Sequence, residues 1–86
     1  MYTILQTSSA RRQYKKLPRD VAENVAKLFT GEFAEDPFSS TLDIVKLKVP
    51  ISGYRIRAGD YRILYTVEKK QITVYSIKHR KDAYRR

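Results

Sequence analysis

Apolar and polar positions alternate through GYRIRAGDYRILYT, residues 53–66, on both sides of a Gly59-Asp60 pair. Two alternating runs around a two-residue turn with Gly first predict a β-hairpin. The turn then sets Ala58 opposite Tyr61, Arg57 opposite Arg62, Ile56 opposite Ile63 and Arg55 opposite Leu64. With a side-chain period of two, Tyr54, Ile56, Ala58, Tyr61, Ile63 and Tyr65 share one face, while Arg55, Arg57 and Arg62 crowd onto the other. Like charges facing each other across a strand pair are destabilising, so the arginine face needs a reason outside the hairpin.

Upstream, residues 2–6 form a short β-rich stretch. Thr7, Ser8 and Ser9 offer N-cap hydroxyls to a helix whose apolar residues Ala10, Tyr14 and Leu17 recur at i, i+4, i+7. Pro18 ends that helix, because the residue before a proline avoids the α region, and serves as the first residue of a second one. Val21, Val25 and Leu28, joined by Ala22, Ala26 and Phe29, form its buried stripe. Gly31 or the Asp36-Pro37 step stops it, and residues 37–45 read as a Ser/Thr-rich loop. Residues 46–49 then form a short strand, Lys69-Lys70 a second turn, and residues 71–77 a last strand. These elements predict one α+β domain over residues 1–86: an N-terminal strand, an αα-hairpin, then an antiparallel sheet of about four strands with the helices packed on one face. Arg55, Arg57 and Arg62 are left on the uncovered face.

Charge sharpens the picture. Of the 86 residues, 18 are Lys or Arg and 9 are Asp or Glu, and the whole excess of +9 falls after residue 45. Such an asymmetry points to a polyanionic partner, nucleic acid first, with a merely solubilising surface as the plainer alternative. There is no cysteine, so neither a disulfide nor a thiolate metal site is available. With no run of eighteen apolar residues and no signal-peptide pattern, the expectation is a soluble cytoplasmic protein that makes no membrane contact.

The basic half has no evident carboxylate pair and only one histidine, and no Gly-rich phosphate loop opens a helix, which leaves a constellation of cations suited to a phosphodiester. RNA carries its own nucleophile, the 2′-hydroxyl. Cleavage requires alignment of that hydroxyl with phosphorus, its deprotonation, protonation of the departing 5′-oxygen, and neutralisation of the transition-state charge. Arginine suits the last task and is a poor base; histidine exchanges protons near neutrality. Arg55, Arg57, Arg62, Arg80 and Lys81 are therefore the candidate phosphate-binding constellation, His79 the group able to carry a proton, and Tyr84 a nearby residue suited to stack on a base or join proton transfer. Arg55, Lys46, Lys48, Lys78, Lys81 and Arg85 are candidate RNA contacts. No metal or cofactor is expected. Each feature has a plainer reading: solvent-facing strand arginines, a surface histidine, and a tyrosine that packs the tail.

The Leu17-Pro18 bend, the Asp36-Pro37 loop, Lys46-Leu47, the YRIR-x-GDYRILY segment and the closing HRKDAYR together resemble the RelE-like branch of the RelE/ParE superfamily of type II toxins, over nearly the full length. The resemblance implies a toxin that enters the ribosomal A site and cuts messenger RNA, held inactive by a cognate RelB-like antitoxin in a hetero-oligomer. It places the family's functional positions at Arg55, Arg57, Arg62, Arg80 and Tyr84. Ribosome-dependent relatives allow lysine where Arg55 and Arg57 stand, and lysine sheds its proton more readily, which raises the standing of His79 as the base. The ParE-like branch poisons DNA gyrase through protein contact, and a non-catalytic RNA- or ribosome-binding module is a third possibility.

Overall fold

The computed structural model describes residues 2–47 and 53–83. Strand β1 (Thr3–Gln6) runs into helix α1 (Ser8–Lys15). The Thr7 hydroxyl caps that helix by accepting the Ala10 N–H at 3.1 Å, an interaction that typically contributes about 1 kcal/mol. Ala10 is fully buried, and Tyr14 and Leu17 pack on the same core. Pro18 is the N-cap of helix α2 (Arg19–Thr30), one residue ahead of the expected position. Val25 is its buried centre, with Val21, Leu28 and Phe29 packed beside it. Ala26 is exposed, because one residue on from Val25 the helix has turned about 100° away from the core. Both predicted stop signals act. Gly31 breaks α2, a single turn α3 (Glu32–Glu35) buries Phe33 and Ala34, and Asp36-Pro37 ends it.

Strands β2 (Ile44–Leu47), β3 (Gly53–Ala58), β4 (Tyr61–Glu68) and β5 (Gln71–His79) follow, then a final turn α4 (Arg80–Ala83). The sheet order is β1-β5-β4-β3-β2. Strand β1 joins the sheet parallel to β5 and the other pairs are antiparallel, so the sheet is mixed and five-stranded. The helical connection makes the parallel pairing possible. Relative to the sequence expectation β2 begins two residues earlier and β5 ends two residues later.

The β3–β4 register is the one the hairpin pattern predicts, with Arg57 opposite Arg62 and Ile56 opposite Ile63. Gly59 has φ 63°, the left-handed conformation that the first position of such a turn demands. Lys69 opens the β4–β5 turn with φ 57° and lacks glycine's freedom there. Lys69→Gly is therefore expected to raise stability by roughly 0.5–1 kcal/mol, a gain of about 2–8 °C in thermal midpoint, measurable by calorimetry. Pairing along β4–β5 is interrupted once: Leu64 faces Ser76 but Tyr65 faces Val74, leaving Tyr75 as an unopposed residue, a β-bulge.

The helix-covered face carries the core. An aromatic series crosses it, with Phe33 edge-on to Tyr65 at 4.8 Å, Tyr65 stacked on Tyr54 at 5.6 Å, and Phe38 edge-on to Tyr54 at 5.2 Å. Tyr65 is wholly buried and donates to the Pro37 carbonyl at 2.7 Å, which satisfies its hydroxyl; burial first, with the nearby Tyr54 and Asp36, pushes its phenol well up from the ordinary range. The same bond ties the α3–β2 loop to the sheet. Farther along that loop Glu32 accepts from the Thr41 and Ser39 hydroxyls, which hold its carboxyl below the usual range, Thr41 most strongly. The loop is thus anchored on both sides before it delivers Asp43 to the start of β2. No helix among the described residues is long and apolar enough to cross a membrane.

Candidate nucleic-acid interface

The open face of the sheet is organised in rows perpendicular to the strands. Arg57 lies opposite Arg62, and Arg62 opposite Lys78. At about 4.8 Å between neighbouring strands, the backbone positions of three cationic residues fall within about 10 Å on one line. The β2–β3 pairing extends the row, because Ile44 faces Ile56 and the Arg57 N–H donates to the Asp43 carbonyl at 3.1 Å. Asp43 therefore begins the row that Arg57, Arg62 and Lys78 continue.

The three arginines differ in exposure. Half of the Arg57 side chain is open to solvent (51%), whereas that of Arg55 is 12% exposed and residue Arg62 only 3%. Arg62 bends back over the hairpin turn, and its Nη1 donates to the carbonyls of Gly59 at 3.2 Å and Tyr61 at 3.3 Å. The expected fully open guanidinium trio is thus corrected: Arg57 presents itself to solvent, while Arg62, across the ladder from it, is buried against the hairpin turn. Arg62 Nε and, one row along, Ser76 Oγ are buried without a hydrogen-bond partner among the described residues. Buried donors left this way are poised for an oxygen acceptor from outside.

A counter-charge is also present. Asp43 Oδ1 lies 3.5 Å from Arg55 Nη2 and Oδ2 lies 3.5 Å from Arg57 Nε. The arginine face is thus answered in part from within the fold, by Asp43 at Arg55 and Arg57. Asp43 escaped the sequence reading because it reaches Arg57 through a strand pairing fourteen residues away. The usable signal was Ile44-Val45, two β-branched residues that belong to the strand and not to the preceding loop.

At the far end of β5 the candidates separate. His79 pairs with Tyr61, and their rings meet edge-on at 5.2 Å, so it lies on the helix-covered side, away from Arg57, Arg62 and Lys78. Its Nδ1 accepts the Lys81 N–H at 3.2 Å. The Arg80 N–H donates to the Asp60 carbonyl at 2.7 Å, which pins the start of α4 against the hairpin turn, and the Arg80 and Lys81 side chains are exposed there. Lys46 pairs with Tyr54 and so also falls on the opposite side from Arg55. Lys48, Tyr84 and Arg85 lie outside the described residues. Among those described, no group of three or more histidine, cysteine or acidic side chains is placed to hold a metal ion.

A row of fixed cations, one of them exposed and planar, binds phosphate oxygens and stabilises charge that builds on them. A family model described as "ParE toxin of type II toxin-antitoxin system, parDE" matches residues 4–84. Toxin RelG of Mycobacterium tuberculosis is 34% identical over 89 residues, spanning 99% of this chain and 98% of that protein. Among solved structures, the toxin-antitoxin complex RelBE2 of M. tuberculosis has a chain that superposes with a TM-score of 0.80 at 26% identity, covering 91% of this chain and 96% of its own. The archaeal RelE-RelB complex of Pyrococcus horikoshii has one that superposes at 0.77 with 25% identity, covering 95% and 98%.

Proposed function

This chain belongs to the RelE/ParE superfamily of type II toxin–antitoxin toxins, and from that premise we propose that it is an endoribonuclease that cuts messenger RNA, in the ribosomal A site, and so stops translation. The observation that carries the proposal is the Arg57–Arg62–Lys78 row, in which like charges are held in line at a cost to the free molecule that a phosphodiester backbone would offset. The substrate 2′-oxygen forms a bond to phosphorus while the bond from phosphorus to the 5′-oxygen breaks, leaving a 2′,3′-cyclic phosphate and a 5′-hydroxyl. Arg57 contacts the non-bridging oxygens, Arg62 supplies a buried charge from the neighbouring strand, and Arg80, with Lys78 and Lys81, holds the flanking backbone. Arg55 extends the basic surface from β3, Lys46 lies on the other side of the sheet, Lys48 and Arg85 are further RNA contacts proposed from sequence, and Tyr84 stacks on a base or assists protonation. His79, the proton carrier proposed from sequence, stands on the other side of the strand end against Tyr61, so the clamp proposed here does not rely on it. A RelB-like antitoxin is the proposed partner, by analogy with the RelB–RelE complexes to which this fold is similar.

A second reading is favoured by the family model's own description as a ParE toxin. On that reading the basic face docks on DNA gyrase without cutting RNA. Induction in growing cells separates the two. Ribonuclease action is expected to give new 5′ ends in translated messages by primer extension and an immediate halt in protein synthesis. DNA breakage with translation continuing at first would favour gyrase.

A further inference from the structure

Asp43 is the acidic group that the fold sets against the arginines of the open face. Its carboxylate is divided, with one oxygen on Arg55 Nη2 and the other on Arg57 Nε, each at 3.5 Å. It is half exposed, and its position is fixed by structure on both sides. Its own carbonyl accepts the Arg57 N–H at 3.1 Å, and the loop before it is fastened by Tyr65 on Pro37 and by Glu32 on Ser39 and Thr41. The partner atom on Arg57 matters. A carboxylate on Nε restrains the guanidinium plane and leaves both terminal nitrogens, which make no other hydrogen bond or ion pair among the described residues, as a fork toward solvent.

We propose that Asp43 is a positioning residue: it holds the Arg57 guanidinium edge-out, so that the terminal nitrogens receive a phosphodiester. This rests on the ribonuclease reading for its consequence in catalysis, though not for the geometry itself. Net charge and positioning predict opposite results. If Asp43 only diluted the positive field, its removal would strengthen both binding and cleavage. If it orients Arg57, neutralising it leaves RNA binding equal or tighter and slows the chemical step, because a misplaced donor stabilises the transition state poorly.

The test compares wild type, Asp43→Asn and Asp43→Glu on a single-stranded RNA or on programmed ribosomes, with kcat and KM measured separately. For Asp43→Asn, kcat is expected to fall on the order of 10- to 100-fold with KM unchanged or lower, and Asp43→Glu, which keeps the charge, is expected to recover most of the loss. An undiminished kcat in Asp43→Asn overturns the proposal. A parallel measurement does not depend on cleavage: the Arg57 Nε–Hε group, followed by nitrogen relaxation, is expected to be ordered in wild type and in Asp43→Glu and to lose order in Asp43→Asn. Equal mobility in all three proteins overturns the proposal even where wild type cuts RNA. An ordered Nε–Hε that depends on Asp43, in a wild type that cuts no RNA, upholds the positioning and defeats the ribonuclease reading alone.

Discussion

Replacing Arg57 with alanine is expected to lower RNA cleavage by about 100- to 1,000-fold while the thermal midpoint holds level or rises. The two halves of that expectation come from one arrangement. Arg57 faces Arg62 directly across the β3–β4 pair, so its removal relieves a repulsion in the free protein. Its side chain is 51% exposed, so little packing is lost, and Asp43 keeps Arg55 as a partner. In the transition state the balance reverses, because the guanidinium fork meets phosphoryl charge when it is greatest. A purified Arg57→Ala variant that cleaves within tenfold of wild type would remove Arg57 from the reacting phosphate. The same change at Arg62, which the hairpin pattern alone presents as the cleaner test, is not equivalent. Arg62 is 3% exposed and serves the Gly59 and Tyr61 carbonyls, so its truncation opens a cavity and strands two acceptors. Lost activity there would mix chemistry with folding.

The second large effect lies where β3 begins. A Cβ placed on Gly53 would come within 2.8 Å of the Tyr65 backbone oxygen on β4, and a backbone atom in the middle of a ladder has nowhere to retreat. Gly53→Ala is expected to cost about 2–3 kcal/mol, roughly 10–20 °C in thermal midpoint for a chain of this size. Gly59→Ala is the control. A Cβ there meets nothing, and only the left-handed φ of 63° is strained, so its cost should be nearer 1 kcal/mol. If the two variants melted together, the strand spacing at Gly53 would be more yielding than the contact implies.

What was legible in the chain was local. A two-residue turn and an unbroken alternation from Tyr54 to Tyr65 determine every pairing of the central hairpin, and the Arg57–Arg62 juxtaposition follows without any long-range information. Thr7 and the Leu17-Pro18 step likewise act within a few residues of themselves. What stayed hidden depended on distance or on compensation. Nothing near β1 announces that it will lie beside β5, since that neighbour is set by the helices between them. Asp43 reaches Arg57 through the edge strand β2. The burial of Arg62 contradicts the ordinary preference of arginine for the surface and is tolerated because turn carbonyls accept its donors. His79, grouped with the arginines from sequence, turns toward Tyr61 on the other side of the sheet.

The reason for that turn is the unopposed Tyr75. Ile72 and Val74 point toward the helices, and continuing their beat unbroken would send Ser76 and Lys78 inward after them and put Ile77 and His79 outside. The extra residue shifts the phase by one, burying Ile77, bringing the lysine out beside Arg62 and taking the imidazole away. A single supernumerary position in β5 thereby selects which nitrogen group the surface offers, an aliphatic amine in place of an imidazole. Deleting Tyr75 would keep that choice, since Val74 and Ser76 would then follow in unbroken alternation, whereas pairing Tyr75 into the ladder would reverse it.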